Sequence, residues 1–405
     1  MQPIAVIADD LTGGLDTGIQ FHLAGMQTLM IVSPGGNLPS HLQPLVAVFN
    51  TNSRELPPDE AYERILQTTS ALQGRRIYKK IDSTMRGNIG RELDALLDHT
   101  SAEMVILTPA SPVHGRTVRA GRLYVHGVPL RKSAFASDPH CPPTNDLVAL
   151  LRNQSAHRVH HVDLDALRAD PGHCEAQFKA GTGIYLVDAE EERDLARIAA
   201  VARNMHASCI PCGSAGLAAA IPAAYGYDSS HPPSPSSLER CGAVLVVAGS
   251  RHPATEAQIR AAETVPGCSR LDVNLLDPAS LDGAARCAQT MLERGEIPLL
   301  TAASTGFQPA RAAEIAAEMG DLAAHIFAAV RVDALVLTGG ETAVHVCRAL
   351  EIDQLRLLGE QLPGIPFSRV IGGARDGLPV ITKAGGFGGP EAIRRILERI
   401  HTTNG

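Results

Sequence analysis

Two lysines, a carboxylate, two hydroxyls and an arginine crowd into the run Lys79-Lys80-Ile81-Asp82-Ser83-Thr84-Met85-Arg86, beside the apolar end of a predicted strand. Arginine holds a carboxylate through paired N–H bonds, and lysine supplies a mobile point charge. Such a loop suits a small polyhydroxylated anion, although a solvated charged loop can carry the same residues. The choice turns on what the other strand ends carry.

Short β-rich runs alternate with Ala/Leu/Arg/Glu-rich helical stretches along the whole chain, which predicts an α/β protein with mainly parallel sheets. Strands are predicted at 4–8, 45–49, 76–81, 104–108, 183–187, 208–211, 243–248, 297–302, 334–338 and 378–382. Helices are predicted at 59–72, 89–98, 190–205, 254–263, 309–330, 342–350 and 390–400. The stretch 226–240 is too rich in Pro and Ser to continue either and reads as a linker. It divides an N-terminal domain, 1–225, from a C-terminal domain, 241–405.

Ligands of open α/β sheets bind beyond the carboxyl ends of the strands, and the two halves offer different groups there. The first half carries Asp9-Asp10-Leu11-Thr12-Gly13-Gly14, Asn50-Thr51-Asn52-Ser53-Arg54 and Asp82-Ser83-Thr84-Met85-Arg86, with Pro109-Ala110-Ser111 and Cys212-Gly213-Ser214-Ala215-Gly216 further on. The second carries Gly249-Ser250-Arg251-His252, Ala303-Ser304-Thr305-Gly306, Gly339-Gly340-Glu341-Thr342 and Lys383-Ala384-Gly385-Gly386-Phe387-Gly388-Gly389. A single Gly-rich turn is ordinary packing, because Gly admits positive φ and close approach. A series at equivalent topological places points instead to phosphate, which the unpaired N–H groups of helix starts attract. A domain for a charged, hydroxylated substrate and a domain for phosphate imply phosphoryl transfer. The expected architecture is therefore two domains, each with a mainly parallel β-sheet flanked by helices, and an active site in the interdomain cleft.

Composition narrows the class further. Of 405 residues, 44% are hydrophobic and 20% charged, as in an ordinary soluble protein, and with 3% aromatics and no Trp the cores must be built from Ala, Leu, Ile and Val. A net charge of −7 argues against a general nucleic-acid binder. No apolar run approaches the roughly 20 residues that cross a bilayer. Asp9-Asp10 interrupts the first apolar run, so no signal peptide and no membrane partner are expected, and the location expected is the cytoplasm. The eight scattered Cys would then be reduced, small core residues.

Several sharper motifs are absent or weak. No GxxxxGK[ST] loop, no GxGxxG opening a helix and no GxSxG elbow occurs. Cys209-Ile210-Pro211-Cys212 has redox spacing but overlaps a strand end and reads as core packing. His157, His160 and His161 follow a polar stretch and read as solvated surface.

With these residues in view, the chain resembles the four-carbon acid sugar kinases, which phosphorylate threonate, erythronate or 3-oxo-tetronate with ATP. The resemblance rests on Ile7-Ala8-Asp9-Asp10-Leu11-Thr12-Gly13, on Lys79 to Asn88, and on Gly115-Arg116-Thr117. It continues through Gly213-Ser214-Ala215-Gly216-Leu217-Ala218, Thr338-Gly339-Gly340-Glu341-Thr342-Ala343 and Lys383-Ala384-Gly385-Gly386-Phe387-Gly388, so it spans essentially the whole chain. It implies a sugar-acid domain followed by a nucleotide domain. It places Asp9, Asp10, Arg54, Lys80, Asp82, Ser83 and Arg86 at the substrate. It places Ser250, Gly339, Gly340, Glu341, Thr342, Gly385 and Gly386 at ATP, with Mg²⁺ bridging the phosphates. Gly14 and Arg251-His252 depart from the pattern of other members, and Leu15-Asp16-Thr17-Gly18 leans towards the threonate kinases. Ala-rich helices are compatible with a homodimer.

The residues themselves leave two candidates for the general base, Asp10 and Asp82. Asp10 is favoured: it follows the first strand directly, and Thr12-Gly13-Gly14 allows close approach. Asp82 stands among Lys79, Lys80 and Arg86, whose charges should make it a weaker base. For the substrate carboxylate, Arg54 and Arg86 offer planar forks and Lys80 a point charge.

Overall fold

The computed structural model describes residues 2–72, 74–179, 181–205, 208–227, 240–250, 253–275, 277–302 and 311–401. Most of the expected linker (228–239), Arg251-His252 and Ala303-Ser304-Thr305-Gly306 lie outside them. The chain forms two compact units, Met1–Thr28 with Pro34–Pro232, and Leu29–Ser33 with Pro233–Gly405.

The strands before the linker are β1 (Ile4–Ala8), β2 (Thr28–Ile31), β3 (Val46–Asn50), β4 (Arg76–Lys80), β5 (Met104–Thr108), β6 (Arg116–Arg119), β7 (Arg122–Val125), β8 (Val128–Pro129), β9 (Val159–Val162), β10 (Gly183–Val187) and β11 (Cys209–Gly213). Seven of them make the sheet of the first unit in the order β3-β1-β4-β11-β5-β10-β9, all parallel. Parallel sheets are covered on both faces and so carry continuous apolar runs; β1, β3, β5 and β10 are buried at every position. Strands β6, β7 and β8 form a small antiparallel sheet.

In the main sheet β3 lies on one side of β1 and β4 on the other. Connections therefore leave the β1 region in opposite directions and open a crevice at its carboxyl end, the usual ligand position in such sheets. A helix, Leu11–Leu23, begins at once after β1, with Asp10 as its N-cap. No helix is predicted there from the sequence; Thr12-Gly13-Gly14 has low helix propensity, and the Asp10 cap and burial of Leu11, Leu15 and Ile19 outweigh it.

The second unit adds β12 (Val244–Ala248), β13 (Cys268–Val273), β14 (Ile297–Ala302), β15 (Ala334–Thr338), β16 (Gln354–Leu362), β17 (Ile365–Val370) and β18 (Pro379–Lys383). The run β13-β14-β12-β15-β18 is parallel, and β17, β16 and β2 extend it antiparallel. Here the switch falls at β12, flanked by β14 and β15. One segment from the first 225 residues thus belongs to the second unit. Met30 of β2 pairs with Leu355 of β16, and Ser33 Oγ donates to Asp353 Oδ1 at 2.8 Å. Among the described residues no helix is long and apolar enough to cross a membrane.

Candidate active site

Beyond β1, β3 and β4 the structure brings together six of the seven residues expected at the substrate. Arg54 donates to both oxygens of Asp9, at 2.7 Å and 3.0 Å, and its Nη2 also donates to Asp10 Oδ1 at 2.5 Å. Asp10 Oδ2 accepts from Thr12 Oγ1 at 2.7 Å and from the Gly13 N–H at 3.2 Å. Arg86 grips Asp82 bidentately, at 2.9 Å and 3.0 Å, and reaches Asp138 at 3.0 Å. Ser83 is half-buried and joins none of these ion pairs.

The forks expected to be open for substrate are therefore already engaged. Arg54 belongs to Asp9 and Asp10, and Arg86 to Asp82 and Asp138. Lys79 is equally committed: wholly buried, it pairs with Glu92 at 2.7 Å and donates to the Lys80 carbonyl at 2.9 Å. Lys80, on the opposite face of the same strand, is different. Only 4% of the residue is exposed, and its ammonium makes no hydrogen bond or ion pair with the described residues. Its Nζ lies 2.5 Å from where a Cβ on Gly13 would stand, and such a Cβ would also overlap Asp10 Oδ1. Glycine at that place lets the ammonium and the carboxylate share one spot.

The two candidate bases differ in the way expected. Burial pushes the Asp10 carboxyl up, but the Arg54 guanidinium and the Lys80 ammonium outweigh it, so the group rests below the usual carboxylate range. Burial likewise opposes Asp82 ionisation, yet Arg86 and Arg54 hold it well below that range. Asp82 Oδ2 also accepts from the Thr84 N–H at 3.1 Å and from the Thr84 hydroxyl. It shapes its own turn, whereas among the described residues Asp10 Oδ1 has only Arg54 as hydrogen-bond donor.

In the second unit the expected residues also converge. Gly339, at φ +100°, precedes the helix Gly340–Ala349, whose first turn holds Glu341 and Thr342. A Cβ on Gly339 would stand 3.0 Å from the Ser250 nitrogen. Thr255 Oγ1 lies 3.0 Å from Ser250 Oγ and donates to the Gly385 carbonyl at 3.0 Å, tying the ends of β12 and β18 together.

Two residues outside the expected set organise the loop after β18. Lys383 Nζ donates to the carbonyls of Ala384 at 2.9 Å, Gly385 at 3.0 Å and Phe387 at 3.3 Å. Gln258 Nε2 donates to those of Phe387, Gly388 and Gly389 at 3.0, 3.1 and 3.0 Å. With its carbonyls gathered onto these side chains, the loop leaves the N–H groups of Gly385, Gly386, Gly388 and Gly389 without an acceptor among the described residues. Free N–H groups in a turn make an anion nest. Lysine at the end of an apolar strand is a legible signal for Lys383; nothing local marks Gln258.

Other motifs resolve as structure. Cys209 and Cys212 are buried in β11, and burial pushes the Cys209 thiol up to about 12 and the Cys212 thiol higher still, which makes them inert. The histidines expected on a solvated surface are half-buried or exposed, and they also make specific contacts. His160 and His161 lie in β9, where His160 stacks on Tyr185 at 4.4 Å and His161 Nε2 meets the buried Asp188 at 2.9 Å. Cross-strand neighbours in β10 and its end, distant in sequence, decide this.

The model of a sugar-binding N-terminal domain matches residues 4–221, and that of a nucleotide-binding C-terminal domain matches residues 245–393. A sugar-binding half and a nucleotide-binding half on one chain are what a sugar phosphotransferase needs. A D-threonate kinase of Salmonella typhimurium is 33% identical over 96% of each chain. A D-erythronate kinase of Heliobacterium modesticaldum is 31% identical over 99% of this chain and 98% of its own. A solved chain from Salmonella typhimurium LT2 shares the fold, with a TM-score of 0.82 at 24% identity, covering 99% of this chain and all of that one. The chain belongs to the four-carbon acid sugar kinase family, enzymes that phosphorylate an alcohol group.

Proposed function

We propose that this protein transfers the γ-phosphoryl group of ATP to the C4 hydroxyl of a four-carbon sugar acid, D-threonate foremost, giving the 4-phosphate. The observation that carries the reading is the placement of the Lys80 ammonium beside the Asp10 carboxylate at the carboxyl end of β1, with no hydrogen bond or ion pair to the described residues. Phosphoryl transfer asks the protein mainly to position groups and to stabilise charge. Asp10 orients the C4 hydroxyl and takes its proton, while Lys80 offsets charge on the transferring oxygens. Asp9 and Arg54 fix Asp10, and Asp82 with Arg86 shapes the neighbouring wall, where Ser83 is the hydroxyl contact. Ser250, the Gly339-Gly340-Glu341-Thr342 helix start and the Gly385-Gly386 loop hold the nucleotide. Among the described residues no three His, Cys, Asp or Glu side chains converge on a cation site. Mg²⁺, when bound with ATP, would neutralise charge on the phosphates.

D-Threonate is favoured by the identity to the Salmonella typhimurium enzyme of that name. Leu15-Asp16-Thr17-Gly18 does not support it by contact, because Thr17 and Gly18 are buried inside the helix Leu11–Leu23. D-Erythronate and 3-oxo-tetronate are the alternatives. A coupled ATP-consumption assay over the three acids is expected to give the highest kcat/KM with D-threonate; no stimulation by any of them would overturn the proposal.

A second expectation concerns nucleotide affinity and pH. Burial lowers Lys383 to about 8. Its ammonium, beneath the loop, therefore loses its charge as pH rises through that value. The kcat/KM for ATP should fall above about pH 8 in the wild type. Lys383→Met should raise KM for ATP at least roughly tenfold at neutral pH, since it removes hydrogen bonds from a charged donor, and should lack the alkaline limb. A pH profile of Lys383→Met matching the wild type would dismiss the role.

A further inference from the structure

Resting on the kinase reading above, we infer that Arg116 is the residue that binds the substrate's carboxylate and so selects sugar acids over neutral polyols. Arg54, Arg86 and Lys79 already hold carboxylates of the protein itself. Lys80 stands against Asp10, at the hydroxyl that is phosphorylated. The carboxylate is at the opposite end of a four-carbon acid and needs a different cation.

Arg116 has the required placement. Its backbone pairs in both directions with Ser111, the third residue beyond β5, with Ser111 N–H donating to Arg116 O at 2.9 Å and Arg116 N–H to Ser111 O at 3.0 Å. That clip holds the start of β6 at the carboxyl edge of the main sheet, the same edge that carries Asp10 and Asp82. The guanidinium lies 5.2 Å from the Phe135 ring centre. Phe135 sits in the short turn Ala134–Ser137, whose cap residue Asp138 holds Arg86. Arg116 and Arg86 are thus braced by one turn, and both feel the charge of Asp82.

Its bonding is incomplete in a way that the bonding of Arg54 and Arg86 is not. Nη1 donates to the His114 carbonyl, no carboxylate pairs with the side chain among the described residues, and the buried Nε has no hydrogen-bond partner. A half-buried guanidinium with an unsatisfied N–H is costly unless an acceptor arrives. A substrate carboxylate supplies a planar pair of acceptor oxygens that fits the fork. The stacked ring fixes the plane in advance, which lowers the ordering cost of binding. A neutral polyol would leave the same N–H unpaired, and selection follows from that difference.

The test compares D-threonate with its uncharged amide, in calorimetric binding without nucleotide and in ATP turnover. The wild type should bind the acid more tightly, and Arg116→Met should weaken acid binding on the order of 10²-fold while leaving the amide nearly unchanged. In turnover the loss should fall on KM for the acid with kcat largely kept. Arg116→Lys keeps the stem and charge and should fall between the two, which covers the case of a poorly folding Met variant. Equal affinity of the wild type for acid and amide, or undiminished acid selectivity in both variants, would overturn the inference. Selective acid binding without any turnover would instead strike the kinase reading and leave the role of Arg116 standing.

Discussion

Asp10→Asn is expected to leave a folded protein that binds sugar acid and nucleotide but turns over about 10²–10⁴-fold more slowly, the range for a lost general base. The substitution isolates the chemistry because Asn caps a helix as well as Asp does, so the start of Leu11–Leu23 is preserved. Arg54 keeps both hydrogen bonds to Asp9, so the guanidinium is not left with an unpaired charge. What disappears is the proton acceptor. Because Arg54 and Lys80 hold the Asp10 carboxyl below its ordinary range, against the effect of burial, the group stays ionised well into acid. Wild-type activity should fade only as the pH drops through that depressed value. Asp82→Asn should act differently, loosening Arg86 and the Thr84 turn and raising KM. If Asp10→Asn turned over normally while Asp82→Asn was inactive, the two roles would have to be exchanged.

The second large effect is on stability. Lys79 and Glu92 form a pair with 0% and 1% exposure, and Ser53 Oγ donates to Glu92 Oε1 at 2.5 Å. Burial works against the Lys79 charge, but the Glu92 carboxylate more than restores it and holds the ammonium above its ordinary value. Glu92→Ala strands that ammonium in the core of the first unit and should cost about 3–5 kcal/mol. Melting of that unit should fall by roughly 10 °C. Joining Lys79→Met to Glu92→Leu removes both charges and should recover most of the loss. The measurement is thermal unfolding of the four proteins, with the two units' transitions resolved separately. A Glu92→Ala transition within about 1 °C of the wild type would mean the pair contributes nothing.

Much of the architecture was legible because its signals are local. Strands β1, β5, β10, β14 and β15 occupy the residues their apolar runs predict, since a doubly covered parallel strand cannot afford polar positions. Antiparallel strands escaped. β16 alternates buried and half-buried positions and turns at Pro363-Gly364 into β17, a pattern that a search for apolar runs passes over. The three apolar residues of β2 were too short a signal to read as a strand, and their place beside β16, more than three hundred residues on, is visible only in the fold.

The site divides along the same line. The sequence by itself determined which residues stand at the strand ends: carboxylates, hydroxyls and cations in the first half, glycines and hydroxyls in the second. Only the tertiary structure decided which of those charges are spent. Lys79 and Lys80 are neighbours of one type, yet successive side chains of a strand face opposite sides. One side meets Glu92 from the helix Ile89–His99; the other meets Asp10. The sequence offered Arg54 and Arg86 as forks for a carboxylate and did not single out Arg116. Partners brought from other segments, Asp9 for the first and Asp138 for the second, engage both, and no described carboxylate pairs with Arg116. The physical reason is that charge is local to a residue, but its compensation depends on whatever the fold places within a few ångströms of it.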